Sequence, residues 1–370
     1  MRRVSNSTGS YFKAINNHST LCELKIFPLR LCANPQVRRK SCLSKIESFT
    51  QRHKEKSKAR KGVLKSTFAL CCSLLLLCSF TVHTQTVSNN AASQTNAVLD
   101  ARVRAEISSF KGHVHLFAKN LDSGETYELN ADDVVPTAST IKVAIMVEAF
   151  ARVSEGRSKW MDEILLTPQA KKVYGSGVLQ NLSDNLHLTL RDVVTLMIIV
   201  SDNAAANLVL DVVTPDAVNA RMDSLGLKQT RVLRKIGAGN TPSSFGKSHP
   251  DFITRYGTGM TTPREMLELL EMIERGQIIN AAASREMIDI MKRQQLHYGI
   301  GRNLQGIEIA SKSGALDHLR SDVGIIYTRR GRIAMAVTCN DIPSVDYSYD
   351  NPGDLLIARL SQILIDGLGK

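Results

Sequence analysis

Cysteine is nearly absent from most of this 370-residue sequence. Six of the seven cysteines lie in the first 78 residues, and only Cys339 lies beyond them. A single cysteine cannot form an intradomain disulfide or a cysteine-based metal site, and no histidines are spaced as metal ligands usually are. We therefore expect no metal and no cofactor. A chain of this length can bury a core that does not need disulfides.

Excess charge is also missing from most of the chain, although the net charge is +12. Residues 1–65 hold 16 Lys and Arg against 3 Asp and Glu, whereas the remaining residues hold 31 against 32. The basic charge therefore belongs to the N-terminal segment and not to a folded binding face. We accordingly expect no nucleic-acid partner.

The most apolar stretch is shorter than the roughly 20 residues that a membrane-spanning helix needs. This stretch, STFALCCSLLLLCSF at residues 66–80, follows the basic segment and precedes a polar one, as in a secretory signal. We therefore divide the chain into four segments: a basic leader (1–65), an apolar signal or N-terminal anchor (66–82), a polar linker (83–96) and a folded domain (97–370).

Two further interpretations of the leader stay open. It is long for a signal peptide, so translation could start at Val63 or Leu64, which would make Lys65 the opening of an ordinary signal. Alternatively, the apolar segment is a retained membrane anchor that leaves the basic leader in the cytoplasm. In each case we expect the folded domain to be exported, either to the periplasm or outside the cell, and to be monomeric.

The folded domain has strand patterns at both ends and helical patterns between them. Strands are predicted at 113–120, 126–130, 307–313, 321–327 and 332–339. Helices are predicted at 139–153, 189–200, 214–225, 263–275, 281–293 and 355–367, and residues 237–259 are predicted to be a long loop. The fold class is therefore α+β, with one antiparallel sheet formed by both chain ends, helices flanking it, and an all-helical subdomain.

The stretch PTASTIKVAIMVEAF places Ser139 and Lys142 three residues apart at the start of a predicted helix. Side chains at this spacing lie on one face of the helix. A serine hydroxyl becomes a strong nucleophile when a base takes its proton, and a lysine with a lowered pKa can be that base. The pair also fits a capping serine beside a surface lysine, but the apolar run after Lys142 favours a buried lysine.

The triplet Ser-Asp-Asn occurs twice, at residues 183–185 and 201–203. The first copy lies in a polar loop and is predicted to be a turn. The second copy follows the apolar helix VVTLMIIV and begins the next helix, so its side chains should be held rigidly. We therefore assign the functional role to Ser201 and Asn203.

A third group, Lys312, Ser313 and Gly314, lies on a predicted strand at the edge of the sheet. Lys312 would offer a fixed cation, and Gly314 would let a ligand backbone approach closely. The triplet is uninformative alone and gains its meaning from following the other two motifs.

In order and spacing, the three motifs resemble those of the class A β-lactamase and penicillin-binding family of serine hydrolases, over residues 97–370. The resemblance implies that Ser139 is the acylated nucleophile and that Lys142 accepts its proton. Backbone N–H groups of Ser139 and Ala315 would form the oxyanion hole. Gly314 would belong to the substrate-binding strand.

The same resemblance implies roles around the substrate. Ser201 would relay a proton to the leaving nitrogen, and Asn203 would bind the side-chain amide of the substrate. Lys312 and Ser313 would hold its carboxylate, with Arg320 either a second carboxylate contact or a solvated turn residue. Asp202 and Asn207 are expected to tie the helix junction to the loop that follows it, and Tyr174 is interpreted as a packed side chain rather than a wall of the site.

The sequence departs from that family at the residue that releases the acyl group. Class A β-lactamases carry a glutamate in the loop after the second motif, but here that region contains no glutamate before Glu265. Its one carboxylate that could substitute is Asp251, which is also readily explained as a surface aspartate. We therefore expect acylation by β-lactams or D-Ala-D-Ala-like donors with weak deacylation. A DD-peptidase or esterase, or a membrane-anchored β-lactam-binding sensor, remains the alternative.

Overall fold

A five-stranded antiparallel sheet joins the two ends of the folded part of the chain. A computed structural model describes residues 97–237 and 241–369, all within one compact unit. The strands lie in the order β2-β1-β10-β9-β8, so the first strands and the last strands share one sheet. This confirms the predicted α+β class and the sheet formed by both chain ends.

The described residues form ten strands and ten α-helices. The strands are β1 (His113–Asn120), β2 (Thr126–Leu129), β3 (Val135–Pro136), β4 (Glu163–Leu166), β5 (Leu186–Thr189), β6 (Arg231–Val232), β7 (Gly259–Thr261), β8 (Glu308–Leu316), β9 (Leu319–Thr328) and β10 (Gly331–Asn340). The helices are α1 (97–107), α2 (Lys142–Ser154), α3 (Leu190–Ile199), α4 (Asn203–Val213), α5 (Pro215–Ser224), α6 (Ser244–Ser248), α7 (Pro250–Tyr256), α8 (Pro263–Glu274), α9 (Ala281–Lys292) and α10 (Pro352–Leu368).

The sheet separates two hydrophobic cores because successive side chains of a strand point to opposite faces. On β10, Met335 and Val337 pack with α1 and α10 on one face, whereas Ala334 and Ala336 pack with the helical layer on the other. Helix α2 lies at the centre of that layer, with every residue from Lys142 to Ala151 buried. A helix that is apolar on all sides is expected in the middle of a core.

The leader, apolar segment and linker predicted for residues 1–96 lie outside the described residues. Within residues 97–237 and 241–369, no helix has the length and apolar character needed to cross a membrane.

Strand and helix boundaries agree with the sequence prediction where the pattern is strong. Strand β1 spans residues 113–120 as predicted, and the helix predicted from residue 263 begins at Pro263, where Thr262 caps it. The prediction of a long loop at residues 237–259 is wrong, because this segment contains α6 and α7. Their Ser and Pro residues act as helix starts: the Ser243 hydroxyl accepts from the backbone N–H of Gly246, and Pro250 occupies the first turn of α7.

We predict that Thr262→Ala lowers the free energy of unfolding by about 1 kcal/mol, since the Thr262 side chain accepts a hydrogen bond from the N–H of Glu265 at the start of α8. Urea titration would measure the change. Thr254→Ala is the control because Thr254 is exposed and its hydroxyl makes only a 3.4 Å contact with a carbonyl. Equal losses in both variants would contradict the capping role.

Candidate active site

The site begins at a tight turn that precedes the central helix. Ser139 lies in a 3-10 turn, Ala138–Ile141, and α2 starts at Lys142, so the helix predicted from residue 139 begins slightly later. Ala138 has a positive φ of 48°, a strained conformation for a residue with a side chain. The partly buried Ser139 lines a cavity of about 690 Å³, and within the described part of the chain its hydroxyl makes no hydrogen bond.

Lys142 is completely buried beside this serine. Its Nζ atom donates to the Ser201 carbonyl at 2.7 Å, the Asn203 Oδ1 atom at 2.8 Å and the Ser201 hydroxyl at 3.2 Å. Burial lowers the pKa of Lys142 well below its usual value, and the nearby charge of Lys312 lowers it further, while Asp202 opposes the shift. A lysine in this environment can be neutral and accept a proton.

Ser201 is held at the junction of α3 and α4 with a left-handed φ of 56°. The Asp202 carboxylate next to it accepts from the N–H groups of Ala205, Val178 and Leu179 at 2.6–2.9 Å. Asp202 therefore caps α4 and ties the α3–α4 junction to residues 178–179, which precede it in the chain. The prediction that Asp202 ties the junction to the following loop is wrong. A side chain at Gly177 would place its Cβ 2.4 Å from that carboxylate, so glycine is required there.

Asn207 matches its predicted role, because its side-chain amide exchanges two hydrogen bonds with the backbone of Ile236 in the following loop. The first Ser-Asp-Asn copy is an exposed turn, in which Asp184 pairs with Lys171 at 2.7 Å. The structure places the two copies differently: Ser201 and Asn203 line the cavity with Ser139, whereas the first copy is not among the lining residues. The functional role of the second copy stays a prediction.

A second buried lysine reaches the same hydroxyl from the sheet. The Lys312 Nζ atom donates to the Ser201 hydroxyl at 3.0 Å and to the Ser313 carbonyl at 2.6 Å. Burial lowers the pKa of Lys312 to about 7, opposed by the negative charge of Asp322. Two lysines from different elements therefore converge on one serine, and mutual repulsion disfavours both being charged.

Gly314 brings strand β8 against the turn that holds the nucleophile. A Cβ at this position would lie 2.9 Å from the Thr137 carbonyl and 3.0 Å from the Ser139 nitrogen. The predicted need for close approach is therefore real, but here the approaching backbone is that of the protein itself. Ser313, Gly314 and Ala315 all line the cavity beside Ser139.

Arg320 lies at the cavity but is neither exposed nor in a solvated turn. It is 2% exposed, on β9, and its Nε donates to the buried Asp354 carboxylate at 3.1 Å. The rest of the guanidinium donates to the carbonyls of Leu316, Leu319 and Asp346. These contacts join the β8–β9 hairpin to the loop before α10, and a contact with substrate stays a prediction.

Three tyrosines line the cavity, and sequence analysis did not identify two of them, Tyr298 and Tyr347. Tyr174 is 94% exposed and lines the cavity, so its interpretation as a packed side chain is wrong. Tyr298 and Tyr347 line the cavity from two other loops. No local motif marks these residues, since only the fold brings their loops to the site. Asp251 is exposed in the first turn of α7 and is not among the cavity-lining residues.

Comparisons with known proteins agree with this arrangement. A model of the family described as "Beta-lactamase enzyme family" matches residues 98–368. The crystal structure of a β-lactamase from Sphaerobacter thermophilus has a TM-score of 0.64 and 30% identity, covering 73% of this chain and 96% of that one. The structure of PBP-A has a TM-score of 0.62 and 28% identity, covering 72% and 94%. PBP-A has also been solved as a mutant acyl-enzyme complex with penicillin G.

Among curated proteins, β-lactamase AST-1 of Nocardia asteroides is 30% identical over 177 residues, which are 47% of this chain. The chain spans 56% of the length of that relative. The family match extends over nearly all the described residues, including the two buried lysines and the serine between them. The chain therefore belongs to the beta-lactamase enzyme family, the serine hydrolases of the β-lactamase type.

Proposed function

We propose that this chain is an exported active-site-serine hydrolase that is acylated at Ser139 by β-lactams or D-Ala-D-Ala-like donors and is deacylated slowly. The observation that carries the proposal is the convergence of Lys142 and Lys312 on the Ser201 hydroxyl beside Ser139. This constellation places a base and a cation directly behind a proton relay, Ser201, that lines the cavity with Ser139.

Acylation follows from these positions. Neutral Lys142 accepts the Ser139 proton as the serine oxygen attacks the carbonyl carbon of the substrate, and the N–H groups of Ser139 and Ala315 stabilise the oxyanion. The C–N bond then breaks, and the leaving nitrogen takes a proton from Ser201, which regains one from Lys142. Proximity of the Lys142 Nζ to the Ser201 hydroxyl, 3.2 Å, supports this relay.

Recognition of the substrate uses the remaining donors. Lys312 and Ser313 hold the carboxylate, because an ammonium and a hydroxyl are both good donors to an anionic oxygen. The Asn203 Nδ2 donates to the Tyr174 carbonyl at 2.9 Å and keeps a second hydrogen for the side-chain amide of an acyl donor.

Slow release follows from the carboxylates around the cavity. The only carboxylate among the described residues that line it is Asp354, which is bound to Arg320. Glu265 lies in the first turn of α8 and accepts from the N–H of Gln229 and the hydroxyl of Thr230. Loss of a general base typically slows its step by about 10²–10⁴-fold. A mutant of PBP-A, to which this chain is similar, has been solved as an acyl-enzyme complex with penicillin G, which supports acylation of Ser139 by β-lactams.

We predict that benzylpenicillin adds its mass to the protein and that the adduct persists for hours. Intact-mass spectrometry over time would measure both steps, with Ser139→Ala as the control that forms no adduct. An adduct that forms and clears within minutes would overturn slow deacylation. No adduct on the wild-type protein would overturn acylation by β-lactams.

The repeated triplet offers a matched pair of variants. We predict that Ser201→Ala slows adduct formation by about 10²–10⁴-fold, because it removes the proton relay. Ser183→Ala makes the same chemical change in the exposed first copy and should leave the rate unchanged. Rates come from quenched time points of the mass experiment. A similar loss in both variants, or none in either, would contradict the assignment of the second copy.

For a substrate that carries a carboxylate, the acylation rate plotted against pH should be bell-shaped. The rate rises with pH as Lys142 loses its proton, since its lowered pKa sets the acidic limb. The rate falls as pH rises through about 7, where Lys312 becomes neutral and no longer holds the carboxylate. Rates of adduct formation with benzylpenicillin, measured at a series of pH values on both sides of 7, would give the profile. A rate that keeps rising to pH 9 would contradict the charge assigned to Lys312.

A further inference from the structure

Asp322 is a buried carboxylate that the proposed mechanism does not use. It lies on β9, is 2% exposed, and its Oδ2 atom accepts from the Ile300 N–H at 2.9 Å. Within the described residues its Oδ1 atom is buried without a hydrogen-bond partner. Buried polar atoms are rarely left unpaired, and burying an aspartate is costly. Such a residue calls for a functional reason.

The chain is built to accommodate this carboxylate. A Cβ at Gly299 would lie 2.8 Å from its Oδ2 atom, so the segment that approaches Asp322 needs a glycine at this point. The same segment carries Tyr298, which lines the active-site cavity. One oxygen of Asp322 therefore fixes a wall of the site, and this contact needs only an acceptor and not a negative charge.

The negative charge of Asp322 lies near Lys312, across the paired strands β8 and β9. Asp322 is the cross-strand partner of Ser313, the residue after Lys312, and Lys312 is paired with Val323. Because side chains alternate along a strand, Asp322 and Ser313 share one face of the sheet and Lys312 lies on the opposite face. Its carboxylate acts on the lysine through the buried edge of the sheet, where charges interact more strongly than in water.

We propose that Asp322 is a positioning residue that keeps Lys312 cationic for the carboxylate of the substrate. This inference rests on the proposed function, since it concerns how Lys312 recognises an anionic acyl donor. The carboxylate has no contact with the cavity and no part in proton transfer to or from Ser139.

The other charged groups near this pair define what Asp322 adds. Lys142, on α2, repels the Lys312 ammonium, and Asp354, on α10, raises the pKa of Asp322. Asp354 is itself paired with Arg320 at 3.1 Å. Burial raises the pKa of Asp322 to about 7, and Lys312 opposes this shift. Asp322 is thus the one negative charge with a resolved effect on Lys312.

Asp322→Asn tests the proposal because the amide oxygen can still accept from the Ile300 N–H while the negative charge is lost. With benzylpenicillin, the basic limb of the acylation profile should move to lower pH by about one unit, the lower range for the effect of a nearby opposite charge. At a fixed pH above the limb, acylation should fall roughly tenfold, because each unit on a one-proton limb is a factor of ten. The acidic limb should stay in place.

A neutral ester, p-nitrophenyl acetate, provides the internal comparison. It has no carboxylate and its leaving group needs no proton, so its rate of acylation of Ser139 should show no change in the basic limb. Asp289→Asn removes the same charge from an exposed position on α9 and should leave both profiles unchanged. Asp322→Glu, which restores the charge, should return the basic limb towards its wild-type position.

Thermal unfolding identifies any variant that is not folded. Asp322→Ser provides a second neutral side chain that can accept a hydrogen bond and is less bulky beside Gly299. A basic limb that stays in place in a folded neutral variant would overturn the proposal, as would equal losses with benzylpenicillin and the neutral ester, which indicate a structural role. If wild-type protein reacts with the ester but not with benzylpenicillin, the proposed β-lactam function fails instead, and the two failures are distinguishable.

Discussion

The active site depends on two buried lysines that meet at the hydroxyl of Ser201. Lys142 approaches from the central helix at 3.2 Å and Lys312 from the edge strand at 3.0 Å. Two buried cations at one oxygen would repel each other strongly, so the arrangement favours one neutral and one charged lysine. In the proposed mechanism, the neutral lysine is the base beside the nucleophile and the charged lysine is the cation that binds the anionic group of the substrate.

The backbone around this contact is correspondingly constrained. Ser201 adopts a left-handed conformation, and Asp202 fixes it by capping the next helix and accepting from the N–H groups of Val178 and Leu179. On the opposite side, Gly314 lets the edge strand press against the turn that carries Ser139. Helix layer and sheet therefore meet at the cavity with little tolerance for added atoms. Strained residues clustered at one place are typical of functional sites.

Much of the active site could be predicted from the sequence, because its reactive residues lie in short motifs at the ends of helices and on a strand. Helical spacing placed Ser139 and Lys142 on one face, and the apolar helix before the second Ser-Asp-Asn copy distinguished it from the first. Contacts between residues that are far apart in the sequence could not be predicted. Arg320 binds Asp354 from a distant helix, and the Tyr298 and Tyr347 loops reach the cavity only after folding. No local pattern encodes such contacts.

The central claim concerns the protonation of the two lysines, which NMR can follow directly. Protein labelled with ¹³C at lysine Cε would be titrated, with the two signals assigned from Lys142→Met and Lys312→Met. We expect both lysines to titrate below the ordinary lysine value, with Lys312 losing its proton near pH 7. The proposed mechanism requires Lys142 to lose its proton at a lower pH than Lys312. Titration of both near the usual lysine pKa of about 10.4 would contradict it.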